Sequence, residues 1–75
     1  MKEPHYKYDW NEVVSIVENA PEELRPSQAC VVVGMRVIEN KLQADAAACS
    51  IGSILFQVEF SDGHIIEVEE FLLKK

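Results

Sequence analysis

The stretch "VEFSDGHIIEV", residues 58–68, sets Asp62 and His64 one residue apart between two apolar runs. A carboxylate that orients an imidazole is the core of a general base, but such a base also needs a nucleophile in reach and a pocket around it. His64 is expected at the sheet rim, and nothing nearby supplies a nucleophile. The plainer reading is a hairpin turn, where aspartate bonds nearby backbone amides. His5, Cys30, Cys49 and His64 are the chain's remaining soft ligands. They lack the close Cys-x-x-Cys or His-x₃-His spacing of structural zinc. Cys30 falls in an apolar run and Cys49 among alanines, so both thiols read as small hydrophobes. The residues therefore predict no catalytic group, no metal and no cofactor.

Arg36 is a different kind of candidate, as the one charge inside the most apolar segment, "ACVVVGMRVI". Buried or half-buried arginine needs a carboxylate partner. Glu59 and Glu67 are the natural cross-strand partners, which makes Arg36 either a structural ion pair or a contact for an interface or a ligand anion. Tyr6, Tyr8 and Trp10 lie close together and can anchor an interface or cap a core. Leu55 and Ile65 belong to strand positions that share a face with the acids. The candidate interface or ligand residues are thus Arg36, Glu59, Glu67, His64, Tyr6, Tyr8, Leu55 and Ile65.

These residues must be positioned by a small number of elements. Asp9 and Glu12 have the spacing of a capping box, and Trp10, Val13, Val14 and Val17 follow at i, i+3, i+4 and i+7. That pattern predicts a helix over 9–19, stopped by Pro21. Residues 28–39 predict a central strand because the apolar run is continuous. Its alternation puts Cys30, Val32, Gly34, Arg36 and Ile38 on one face. Gly34 in mid-strand signals a bulge or a close approach. Residues 40–52 admit either a helix, from the "NKLQ" cap and the alanines, or an extended arm, from the alternation of Leu42, Ala44, Ala46 and Ala48. The extended form agrees better with the strands on both sides.

Residues 53–60 and 64–69 alternate as two strands of a hairpin. A two-residue loop would set Val58 against Glu67. A three-residue loop, Ser61-Asp62-Gly63, instead pairs Phe60 with His64, Val58 with Ile66 and Phe56 with Val68. Only the second keeps the apolar set on one face, and it places Gly63 where a left-handed residue is required. The expected fold is α+β: an N-terminal amphipathic helix on a three- to five-stranded antiparallel sheet, or a small, partly open barrel.

Seventy-five residues make one domain, with a formal charge of −6 from 13 acids and 7 bases. That balance opposes nucleic-acid binding, which depends on cations neutralising phosphates, and docking on anionic lipid. It suits a basic protein partner, or simply solubility. The start "MKEPHYKYDW" lacks an apolar leader, no run approaches membrane length, and two cysteines are too few for a disulfide scaffold. A cytoplasmic protein with reduced thiols is expected. The order "ACVVVGMRVI", "ILFQVEF", "SDG", "HIIEV", "EEFLL" resembles small SH3-like β-barrel domains, which often carry a V-x-F-x-D-G hairpin before an acidic, leucine-bearing last turn. In size and in lacking catalytic motifs the chain also resembles orphan proteins of mobile integron gene cassettes. Neither likeness transfers functional residues. The reading that follows is a non-catalytic, acidic, homo-oligomeric interaction module of immunity or accessory type. The alternative is a small-molecule binder or minimal enzyme at a subunit interface near Arg36 and His64.

Overall fold

Val13, Val14, Ile16 and Val17 are β-branched, and stiff side chains of that kind favour a pleated strand over a helix. In the computed structural model, which describes residues 6–75, the first three lie in β1 (Val13–Ile16) and Val17 follows it, instead of the expected helix over 9–19. The capping signature is present but ends in a turn. Glu12 Oε1 accepts the Asp9 N–H at 3.0 Å, and the Glu12 N–H reaches the Asp9 carbonyl. Asn11 then takes a left-handed φ of 65°, which no helix interior accommodates. The Asn11 N–H bonds the Val32 carbonyl while the Val32 N–H bonds the Glu12 carbonyl. Two residues thus face one, which is a bulge, and the chain leaves it as a strand. Val14 and Ile16 are buried whereas Val13 is 64% exposed. Trp10, Val13, Val14 and Val17 fit a period of 3.6, but Val14 and Ile16 fit a period of two, and packing chose two.

Strand β2 (Ala29–Val37) is central and runs antiparallel to β1 and to β3 (Ile54–Glu59). Val32 faces Val58 and Gly34 faces Gln57, so Val33 is an extra residue. Gly34 also brings the Gln57 side chain so close that an added Cβ would overlap it; the expected bulge is there, and what approaches the glycine is a side chain, not another backbone. The bulge corrects the simple alternation. Cys30 and Val32 pack into the main core, but beyond it Met35, opposite Phe56, takes that face. Arg36 and Ile38 are turned to the other side with Leu55, away from Cys30 and Val32.

Residues 40–52 are not extended. Helix α1 (Lys41–Ala47) starts at Asn40, whose side chain accepts the Gln43 N–H at 2.9 Å. Gln43 returns the contact by accepting the Glu39 N–H at 2.8 Å. The alanines supply helix propensity, and Ala48, left-handed at φ 56°, ends the helix. Of the alternating set only Ala44 is buried, against Ile38 and Leu55, while Leu42 points to water.

Strands β3 and β4 (Ile65–Glu69) pair in the register argued for the three-residue loop: Val58 with Ile66 and Phe56 with Val68. The Phe60 N–H bonds the His64 carbonyl, and Gly63 has φ 87°. A 3₁₀ turn, Glu70–Leu72, leads into β5 (Leu73–Lys74), which pairs with β1. The sheet order is β4-β3-β2-β1-β5.

One face of the sheet holds the main core of Tyr8, Val14, Ile16, Cys30, Val32, Phe56, Val58, Phe60, Val68 and Leu73. β3 and β5 lie three steps apart, about 14 Å in a flat sheet at roughly 4.8 Å per step. Tyr8 nevertheless stacks edge-on against Phe56 with centroids 5.5 Å apart and donates its hydroxyl to the Leu73 carbonyl at 3.0 Å. The sheet therefore curls over this core. Its edges, β4 and β5, do not pair, so it is an open sheet with one short helix, rather than a barrel or a helix-on-sheet layer built from the N-terminus.

Candidate functional site

The face opposite the main core is divided along β3 by Leu55, Gln57 and Glu59, whose side chains point to it in turn. At the Leu55 end α1 covers it, and Leu55, Ile38 and Ala44 make a second small core. In the middle Arg36 and Glu67 form a bidentate pair, Nε to Oε2 and Nη2 to Oε1, both 2.8 Å. Gln57 donates its amide to the same Glu67 carboxylate, and its fit over Gly34 holds it there. The Arg36 guanidinium keeps the Glu67 carboxyl below the usual carboxylate range, against the opposing effect of burial. Of the two acids expected to answer Arg36, Glu67 does so and Glu59 does not. Arg36 is thus internally satisfied.

At the far end of the hairpin, Asp62 Oδ1 accepts the backbone N–H of His64 at 3.1 Å, and Arg25 Nη1 lies 3.0 Å from both carboxylate oxygens. These contacts, the His64 amide first, hold the Asp62 carboxyl low. The aspartate engages the backbone of His64, and no hydrogen bond joins the imidazole to it. The ring stacks on Phe60 at 6.4 Å and 19°, and the Arg25 guanidinium lies 4.8 Å from the Phe60 centroid. The pair is a turn with a cationic brace rather than a catalytic dyad. Sequence reasoning missed Arg25; its one signal was a lone cation between two prolines in the connector. Its left-handed φ of 61° after the 3₁₀ turn Glu22–Leu24 aims it there.

The remaining candidates separate. Tyr8 is in the core and Tyr6 packs edge-on against Phe56 with centroids 6.4 Å apart, so both cap the core. Leu55 is covered by α1. Trp10, expected on an apolar helix stripe, is 60% exposed. Cys30 is buried, which pushes its thiol up. Cys49 is pushed up by burial and then by Glu69, with Arg36 opposing; a protonated thiol is a poor nucleophile. Among the described residues no three of His, Cys, Asp and Glu cluster as metal ligands, and no helix is long and apolar enough to cross a membrane. His5 lies outside the described residues.

What stays open is the Glu59 end. Pairing is continuous across four strands, Val13 to Val31 to Glu59 to Ile65. Val13 and Ile65 are 64% and 54% exposed. Val13, with Asn11, Ala29, Val31, Val33 and Glu59, borders a shallow groove of about 350 Å³, and Ile65 lies beside Glu59 on the neighbouring strand. Glu59 is half-buried, and among the described residues its carboxylate enters no ion pair and no side-chain hydrogen bond. The comparisons with protein families, curated proteins and solved structures return no match, and nothing in them bears on the resemblance to SH3-like domains or cassette proteins.

Proposed function

We propose that this chain is a non-catalytic, acidic protein-interaction module of accessory or immunity type that works as a homo-oligomer and offers a sheet surface to a basic protein. The open end of the outer face carries the reading: an apolar row across four strands with one carboxylate in it that is unanswered among the described residues. Contiguous exposed apolar surface on a small protein marks association, and the charge of −6 favours a cationic counterpart. Large apolar side chains elsewhere, Phe71, Ile51 and Leu42, also stand in water and offer surface for contact between copies. The competing reading, a small-molecule site at Arg36 and His64, has weaker support. Arg36, on β2, meets Glu67 in the middle of the outer face while His64 sits at the hairpin turn, and each is engaged with its own neighbours.

Light scattering over micromolar to high micromolar concentration tests the oligomeric part. A mass of two or more 8.5 kDa chains is expected. A monomer mass throughout would overturn it.

A further inference from the structure

We infer that the open end of the outer face is a docking site for a lysine or arginine of a partner protein, with Glu59 as its counter-charge and Val13, Val31 and Ile65 as the apolar rim. This inference rests on the proposed interaction role and names the chemistry that the surface accepts.

Three features carry it. The first is the contrast between two glutamates on one sheet face. Glu67 is answered by Arg36 and Gln57, whereas Glu59, one strand over and towards the other end, is flanked by Val31 on β2 and Ile65 on β4. Covering a half-buried carboxylate between apolar neighbours strips its remaining water, which is costly unless a cation takes that water's place. The second is the rim. A lysine or arginine side chain has an apolar stem behind its charged head, so Val13, Val31 and Ile65 can hold the stem while Glu59 meets the head. The third is net charge. A second copy brings its own −6, and contact through this face about a twofold axis would set its Glu59 against this one. A basic partner fits the face better than another copy does, so contacts between copies belong elsewhere on the surface.

The probe is the pentapeptide Lys-Val-Lys-Val-Lys with both termini blocked, beside its counterpart with glutamate for lysine. Calorimetric titration into the wild-type protein is expected to show saturable binding of the lysine peptide, weakened by added salt, and none of the glutamate peptide. Glu59→Gln keeps the shape and is expected to weaken binding about tenfold, the effect of losing one hydrogen bond to a charged group. Ile65→Lys sets an ammonium beside Glu59 within the chain and is expected to abolish binding. Both variants should retain the wild-type oligomer mass and a cooperative melt.

If Glu59→Gln binds as tightly as wild type, the peptide sits elsewhere; the Glu59 site is wrong, and the interaction role survives. Equal affinity for the two peptides would also overturn the site. If the wild-type protein binds neither peptide, the site falls, and a monomer mass in the same sample would bring the interaction role down with it.

Discussion

Gly34 matters because of what the opposite side chain does. Gln57 lies across it and donates to Glu67, which in turn holds Arg36. A methyl group at Gly34 would push Gln57 aside and break that donation. Gly34→Ala is therefore expected to cost on the order of 1 kcal/mol, and Gln57→Ala to absorb much of that cost in the double variant. Urea denaturation of the four proteins of the cycle measures the coupling. The carboxylates here also set the response to acid. Glu67, Asp62 and Glu12 are each held below the ordinary carboxylate range, by Arg36, by the His64 amide and by Lys75 respectively. A group whose folded value is depressed stabilises fully above its unfolded value, about 4, and that stability is lost as pH falls through the folded value. The denaturation midpoint is expected to be flat from pH 7 to about 5 and to decline below it. Glu67→Gln should reduce the size of the decline. Arg36 and its need for a carboxylate were legible in the sequence, as was Gly34. Which glutamate answers was not, because that depends on the register across the bulge at Val33, which sets Arg36 opposite Leu55, two residues from Gln57 and four from Glu59.

Among the elements, the sequence read best where one period had no rival. The β3–β4 hairpin has clean alternation and a turn that only one register satisfies, and it forms in that register. β1 failed because Trp10, Val13, Val14 and Val17 fit a helical period while Val14 and Ile16 fit a strand period, and its capping box is real but local. A left-handed Asn11 and β-branched crowding break the helix before it can propagate, and short helices depend on packing more than on caps. The opposite error occurred at residues 40–52, where alternation looked like a strand but the Asn40 cap and the alanines prevailed. Two substitutions probe α1. Asn40→Ala removes the acceptor of the Gln43 N–H and is expected to cost about 1 kcal/mol. Ala48→Gly relieves a left-handed alanine at φ 56° and is expected to gain roughly 0.5–1 kcal/mol. Thermal unfolding followed by far-ultraviolet circular dichroism reports both.

At the scale of the whole molecule, the two sides of the sheet are used differently. One side is closed by the curl that lets Tyr8 reach both Phe56 and Leu73. The other is covered by α1 at one end, neutralised by Arg36 and Glu67 in the middle, and left open at Glu59. Sequence alone identified a surplus of apolar surface. It placed Cys30, Val32, Ile38, Leu55 and Ile65 together on the outer face, because the extended form was preferred for 40–52 and simple alternation was carried through Gly34; the first four are buried. Ile65 is the member of that set that stays exposed. A molecule of this size has a thin stability margin, so an apolar row left in water asks for a function. The most direct measurement is a residue-resolved map of backbone amide shifts as the lysine pentapeptide is added to the isotope-labelled protein. Shifts concentrated at Val13, Val31, Val33, Glu59 and Ile65, with α1 and the Arg36–Glu67 band unmoved, are the expected result. Shifts centred on Arg36 and Glu67, on the His64 turn, or spread evenly over all acids would contradict it.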